Sequence, residues 1–217
     1  MADEFSLWDI VSNLALALRW TVVLAVVAFV LGGLTGLVVL FARISAQRWL
    51  RNLAKAWISV FQGTPLLMQL FIIFFGFPSL GIEVPAWLAA AVGLTCFTSA
   101  FLAEIWRGCV ESIPKGQWEA SSSLAMSYIE QMRYVILPQA SRIAVAPTVG
   151  FSVQVVKGTA LASIIGFVEL TKAGTMLNNA TFRPFVVYSL VALIYFCLCF
   201  PLSWWAKKIE GRLNVAR

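Results

Sequence analysis

Histidine is absent from the 217 residues, so imidazole cannot act as a general base here and most zinc sites lose a usual ligand. Charge is scarce, with only 12% of residues being Asp, Glu, Lys or Arg. Four cysteines, Cys96, Cys109, Cys197 and Cys199, show neither metal-ligand spacing nor a secreted disulfide pattern. They read as small packing residues, and no metal site is expected. No GxxxxGK[ST] phosphate loop occurs, so the chain cannot itself supply an ATPase. No nucleophile and base stand at motif spacing, and no catalytic residue is nominated.

What the sequence has instead is oil. Apolar residues make up 60% of it and the mean hydropathy is +0.86, well outside the soluble globular range. An all-α integral membrane protein is expected, as a single domain over 1–217. The net charge of +6 does not point to nucleic acid, because the basic residues follow membrane topology rather than cluster on one polar module.

Five transmembrane helices are predicted, at about 18–42, 57–78, 85–106, 141–166 and 184–206. The acidic start, MADEFSLWDI, lacks the basic region of a signal peptide, so the first apolar run should be retained as a span. Twenty-three uncharged residues separate Arg19 from Arg43, enough for one membrane helix. Gly32 and Gly36 form a GxxxG pair there that reads as a packing groove. Within the second span, Phe61-Gln62-Gly63-Thr64-Pro65 predicts a kink or broken helix, followed by a short loop with Pro78, Gly81, Glu83 and Pro85. Only fourteen uncharged residues run from Ile143 to Val156, too few to cross alone, so Lys157-Gly158-Thr159 reads as a second break at membrane depth. Residues Glu169 to Arg183 read as a polar connection. Placing the loops after the first, third and fifth spans in the cytoplasm puts twelve of sixteen basic residues inside. The N-terminus is then outside and the C-terminus cytoplasmic.

The longest polar stretch, 107–140, is expected to be a cytoplasmic helix-turn-helix. Its first helix would run from Lys115 to Ala125, with Glu119 in the opening turn where a carboxylate suits the helix dipole. The second would open on the capping-box pattern Ser127-Tyr128-Ile129-Glu130 and carry Ile129, Met132 and Ile136 on one face. Pro138 should end it, because a proline disfavours helix at the residue before it.

Gly116-Gln117-Trp118-Glu119-Ala120, followed by Ile136-Leu137-Pro138-Gln139-Ala140, resembles the EAA loop of permease subunits of ATP-binding cassette importers, in the branch serving polar amino acids. Gly63 to Leu70 and Ser163 to Leu170 resemble the same family. The resemblance implies a coupling helix seated in a groove of a separate ATPase subunit, with Gly116, Gln117, Trp118, Glu119, Ala120, Ser123, Leu124, Ala125 and Met126 as the docking surface. It also implies a bacterial inner membrane location, an external substrate-binding protein, and an amino acid substrate. ATP and Mg would bind the partner ATPase, leaving no cofactor in this chain. A second permease subunit, identical or similar, is expected because five helices are few to enclose a gated pathway in membrane lipid. Two departures stand out: Ser121 replaces the usual third alanine, and Ala125 replaces the usual glycine. Alanine in a left-handed turn costs about 1 to 2 kcal/mol, so the local turn is expected to differ from the family's.

Substrate-pathway candidates are Gly63, Thr64, Glu104, Gln154, Lys157 and Thr159. At each break, freed amides or the Lys157 ammonium could hold a carboxylate, with Thr64 as a helix cap; the alternative is that both breaks only kink helices for packing or gating. Glu104 precedes Arg107 by three residues and either makes a helical ion pair or faces the cavity. Glu169 resembles the family's glutamate and is assigned to an outer gate. Two other functions compete: a membrane enzyme using Glu111, Glu119 or Glu130, and a channel or scaffold, which would leave the helix-turn-helix without a purpose.

Overall fold

The computed structural model describes residues 6–215, so Asp3, Glu4 and Arg217 lie outside it. Eight helices are found among the described residues, in the order α1 Leu7–Ile44, α2 Arg48–Gly63, α3 Leu66–Ser79, α4 Ala86–Glu111, α5 Lys115–Ser123, α6 Tyr128–Ser163, α7 Leu170–Thr181 and α8 Pro184–Val215. Helices α1, α4, α6 and α8 are each long and apolar enough to cross a membrane. The bent pair α2–α3 makes a fifth candidate span. Helices suit this setting because each satisfies its own backbone polar groups where water is missing.

Helix α1 starts eleven residues before the expected 18 because Ser6 and Asp9 close a capping box. The Ser6 hydroxyl accepts from the Asp9 amide while the Asp9 carboxylate accepts from the Ser6 amide. Its 38 residues make a rod of about 57 Å, longer than a bilayer core of about 30 Å, so its ends project. The α1–α4 contact is the most extensive in the molecule and is built on the predicted glycines. A Cβ on Gly32 would come within 2.6 Å of the Thr98 side chain, and one on Gly36 within 3.1 Å of the Ser99 carbonyl oxygen. Only hydrogen fits at Gly32 and a Cβ at Gly36 would be crowded, so the GxxxG pair is a close-approach groove.

The central core gathers Leu24 and Ala28 of α1, Leu70 of α3, Leu94 and Leu102 of α4 and Val155 of α6. A second cluster joins Ile10 and Leu14 of α1 to Leu170 and Leu177 of α7 and Val187 of α8. The outward face of α1, with Leu16, Val23, Val26, Val30 and Val38 exposed, is what a lipid-facing helix shows.

Four expectations are corrected. Pro138 does not end a helix: α6 runs through it, because a π-helical stretch at Gln131–Ile136 rearranges the ladder into which the proline ring would otherwise clash. Pro78 likewise sits inside the end of α3 rather than in a loop. Lys157-Gly158-Thr159 is not a sharp break; α6 narrows to a 3-10 turn at Thr159–Ser163, and the chain reverses only at Gly166, where φ is +91°. The polar connection after Glu169 contains α7, whose Leu170, Ala173, Gly174 and Leu177 are buried on one side.

Candidate functional site

Three polar constructions stand out against the apolar body. The first is the projection made by α5 and the start of α6. Helix α5 stops at Ser123, two residues earlier than expected, and Ala125 takes a left-handed φ of +58°. The Met126 amide donates to the Ser121 carbonyl at 3.4 Å and the Ala125 amide to the Ser122 carbonyl at 2.9 Å. That is the six-to-one, five-to-two pair of a Schellman turn, formed here with alanine where glycine is usual. The alanine carries the strain of the left-handed position.

The next residues lock the turn. Ser127 and Glu130 form the predicted capping box. Glu130 lies ahead of the uncharged stretch Ile143–Val156, and the Ser127 hydroxyl and amide, both donating to its carboxylate, hold its pKa below the usual glutamate range. Gln131, which sequence reasoning did not single out, donates from one amide nitrogen to the Ser122 hydroxyl at 3.1 Å and the Met126 carbonyl at 2.9 Å. Beneath the turn, Val110, Ile113, Met132, Ile136 and Ala140 form a small core of their own. The Tyr128 hydroxyl donates to the Ile44 carbonyl at 3.3 Å, tying the projection to the last residue of α1.

The nominated docking residues divide accordingly. Gly116, Gln117, Glu119, Ala120, Ser123, Leu124 and Ala125 are exposed. Trp118 and Met126 are half-buried; Trp118 packs on the projection's core and stacks on Tyr128 with ring centres 6.4 Å apart. Ser121 is buried. Ile129, expected on one face with Met132 and Ile136, is instead 75% exposed, as Leu124 is at 77%, while those two are buried. The projection thus offers an apolar and acidic surface on a rigid support.

The second construction is the elbow between α2 and α3, bent by 103°. Gly63 is exposed, with open space around its missing side chain. Thr64 does not cap α3; its hydroxyl donates back to the Val60 carbonyl at 2.7 Å. The residue that holds the elbow is Gln69, buried, whose amide nitrogen reaches the Phe61 carbonyl, the Thr64 carbonyl and the Thr64 hydroxyl at 2.9 to 3.0 Å. A glutamine in an apolar run was the available signal. On α6, Gln154 and Lys157 are exposed on the same side, three residues apart. Thr159 is fully buried and its hydroxyl is used by the Val156 carbonyl. Glu104 makes the ion pair, taking two hydrogen bonds from Arg107 Nε at 2.9 and 3.0 Å, while Arg107 also pairs with Glu111.

The third construction surrounds Glu169, which is 0% exposed yet faces no cation among the described residues. It caps α7 by accepting the Lys172 amide at 2.8 Å. Its other oxygen accepts the Tyr195 hydroxyl of α8 at 2.8 Å and, more weakly, the Thr21 hydroxyl of α1 at 3.5 Å. Thr21 in turn accepts the Leu170 amide at 3.0 Å. Three helices meet on one carboxylate. Tyr195 and Thr21 lie in uncharged runs far from Glu169 in sequence, and only their polar groups set them apart.

Comparison with known proteins agrees with this architecture. Residues 28–215 match the family model for the binding-protein-dependent transport system inner membrane component. The chain is 38% identical over 202 residues to the probable amino-acid ABC transporter permease protein YckA of Bacillus subtilis, covering 88% of this chain and 89% of that one. It is 34% identical to the L-cystine transport system permease protein TcyB of the same organism, covering 96% and 88%. Among solved structures, an amino acid ABC transporter crystallised with histidines superposes with a TM-score of 0.91 at 32% identity, over 98% of this chain and 99% of that one. A helical body with four or five candidate spans, matched along nearly its whole length, makes this a multi-pass inner membrane protein, a transport subunit and not an enzyme, that belongs to the family of binding-protein-dependent transport system inner membrane components.

Proposed function

We propose that this chain is the permease subunit of an ATP-driven importer of polar amino acids, alternating between outward-open and inward-open states under force from a separate ATPase. The observation that carries this is the projection of α5 and early α6: exposed Glu119, Ala120, Ser123 and Leu124 held on a capped and pinned support outside the apolar body. A surface so firmly fixed suits a docking element that must pass on displacement. ATP and Mg belong to that partner, which docks on Gly116 to Met126. The names of the relatives support amino acids as the substrate class. The distribution of basic residues supports an external N-terminus, a cytoplasmic C-terminus and a cytoplasmic projection. A second permease copy or homologue and an external binding protein complete the assembly.

Substrate passes the elbow at Gly63 and Thr64 and the α6 face carrying Gln154 and Lys157. A lysine among apolar residues is costly against lipid, so that exposed face belongs toward a pathway or a second subunit. The Lys157 ammonium then suits the carboxylate common to amino acids. Glu104 is engaged by Arg107 and Thr159 by its own helix, which leaves neither as a direct ligand in this state. Glu169 serves the outer gate by clasping α1, α7 and α8.

The test is reconstitution with the ATPase subunit and binding protein in proteoliposomes. Glu119→Lys should abolish co-purification of the ATPase and ATP-dependent uptake while the permease still folds. Lys157→Met should lower uptake with ATPase docking intact. Retained coupling in Glu119→Lys removes the docking assignment.

A further inference from the structure

An apolar cleft of about 510 Å³ opens between α1, the start of α4 and the turn after α6, lined by Trp20, Val23, Val27, Trp87, Ala91 and Phe167. The volume is that of a ligand pocket. Beside it, sharing Trp20 and Val168 as walls, a more polar pocket of about 430 Å³ reaches Asn13, Arg19 and Met176. Side by side across Trp20 and Val168, they make a groove that is greasy at one end and cationic at the other. Arg19 is exposed, its guanidinium lies 5.4 Å from the centre of the Trp20 ring, and among the described residues no carboxylate pairs with it.

We propose that this groove binds an anionic phospholipid, one acyl chain in the cleft and the phosphate on Arg19. Each half of the groove selects one half of that molecule. Apart from the two indole N–H groups, the cleft walls are hydrocarbon and aromatic surface, a poor match for a polar solute and a good one for an acyl chain. The guanidinium matches a phosphate oxygen pair, and tryptophan, which lines the cleft twice, is a residue type that favours the headgroup level. A charge at the end of an apolar slot distinguishes this site from ordinary lipid contact along α1.

The position gives the lipid a consequence. Trp20 meets Phe167 edge-on with ring centres 6.4 Å apart, and the chain enters the Glu169 cluster directly after both walls, at Thr21 after Trp20 and at Glu169 after Val168: Thr21 accepts from Leu170 and donates to Glu169. A chain wedged against Trp20 and Phe167 therefore braces the turn that Glu169 closes.

Fluorescence quenching by lipids brominated on the acyl chain tests the site in the assembled transporter, reconstituted in nanodiscs. Brominated phosphatidylglycerol should quench Trp20 and Trp87 several-fold more than brominated phosphatidylcholine, with Trp20→Phe and Trp87→Phe identifying their signals. Arg19→Gln should remove the preference for the anionic lipid and leave the weaker quenching common to both. Val23→Phe, at an exposed position where folding is not at stake, should shield Trp87 from either lipid. Equal quenching by the two lipids in the native protein would reduce the groove to ordinary bilayer contact and overturn the proposal. Absence of quenching by both would mean that protein, such as a second copy of the chain, covers the cleft, and would overturn it as well.

Discussion

Of the three carboxylates that cap helices among the described residues, Asp9, Glu130 and Glu169, the last two do so at opposite extremes of environment. Glu130 stands in the open and exchanges hydrogen bonds with one neighbour, Ser127, three residues away. Glu169 is fully buried and gathers donors from three helices, two of them more than twenty residues away in sequence. The first shapes a local turn; the second fixes tertiary structure. Burial raises the worth of every hydrogen bond and also the cost of losing one, because a stranded donor has no water to turn to. The same chemical device is therefore local and adjustable in the projection, global and unforgiving at the buried turn.

The contrast is sharpest if each carboxylate is removed. Glu169→Leu leaves the Tyr195 hydroxyl and the Lys172 amide without an acceptor, and should destabilise the protein by about 3 kcal/mol, read as a large fall in the thermal midpoint of the detergent-purified complex. Tyr195→Phe, which removes one donor and strands less, should cost about 1 kcal/mol in the same assay. If Glu130→Ala lowered that midpoint as far as Glu169→Leu, the distinction between local and global caps would fail. A smaller effect comes from relieving strain beside the exposed cap. Ala125→Gly should stabilise the turn by about 1 kcal/mol, because glycine adopts φ near +58° without a Cβ penalty. Hydrogen exchange of the amides at 122–131 would report it as slowed exchange, with the rest of the protein unmoved.

The mildest change needs no mutation. Because the pKa of Glu130 is lowered in the folded protein, its capping box is fully formed at neutral pH and is lost as acid protonates the carboxylate below the ordinary glutamate range. Protection of the projection's amides, taken relative to the intrinsic exchange rate at each pH, should fall on acidification and stay constant on going alkaline. A response absent in Glu130→Gln but present in the native chain would assign it to this residue.

Much of this was readable in the sequence, and the failures have physical reasons. Charge-free runs gave the spans, and the Gln62-Gly63-Thr64-Pro65 break and the GxxxG groove followed from local backbone chemistry. The capping box at Ser127 followed from spacing alone. Pro138 misled because a proline's penalty falls on one carbonyl, and a π-helical stretch at Gln131–Ile136 offers a way round that a residue-by-residue rule cannot see. Helix α7 was missed although its buried Leu170, Ala173, Gly174 and Leu177 carry helical spacing; polar residues between them drew the eye. Tyr195, Thr21 and Gln69 could not be ranked, because their roles depend on which helices meet.

Helix α1 joins matters that the chain otherwise keeps apart. Thr21 grips the Glu169 turn and the carbonyl of Ile44 receives Tyr128, so one unbroken rod is clasped at two points twenty-three residues, or about 35 Å, apart. A beam held at both ends cannot shift at one without levering the other. The geometry gives a rocking of the projection a direct mechanical address at the other clasp, on the Glu169 turn.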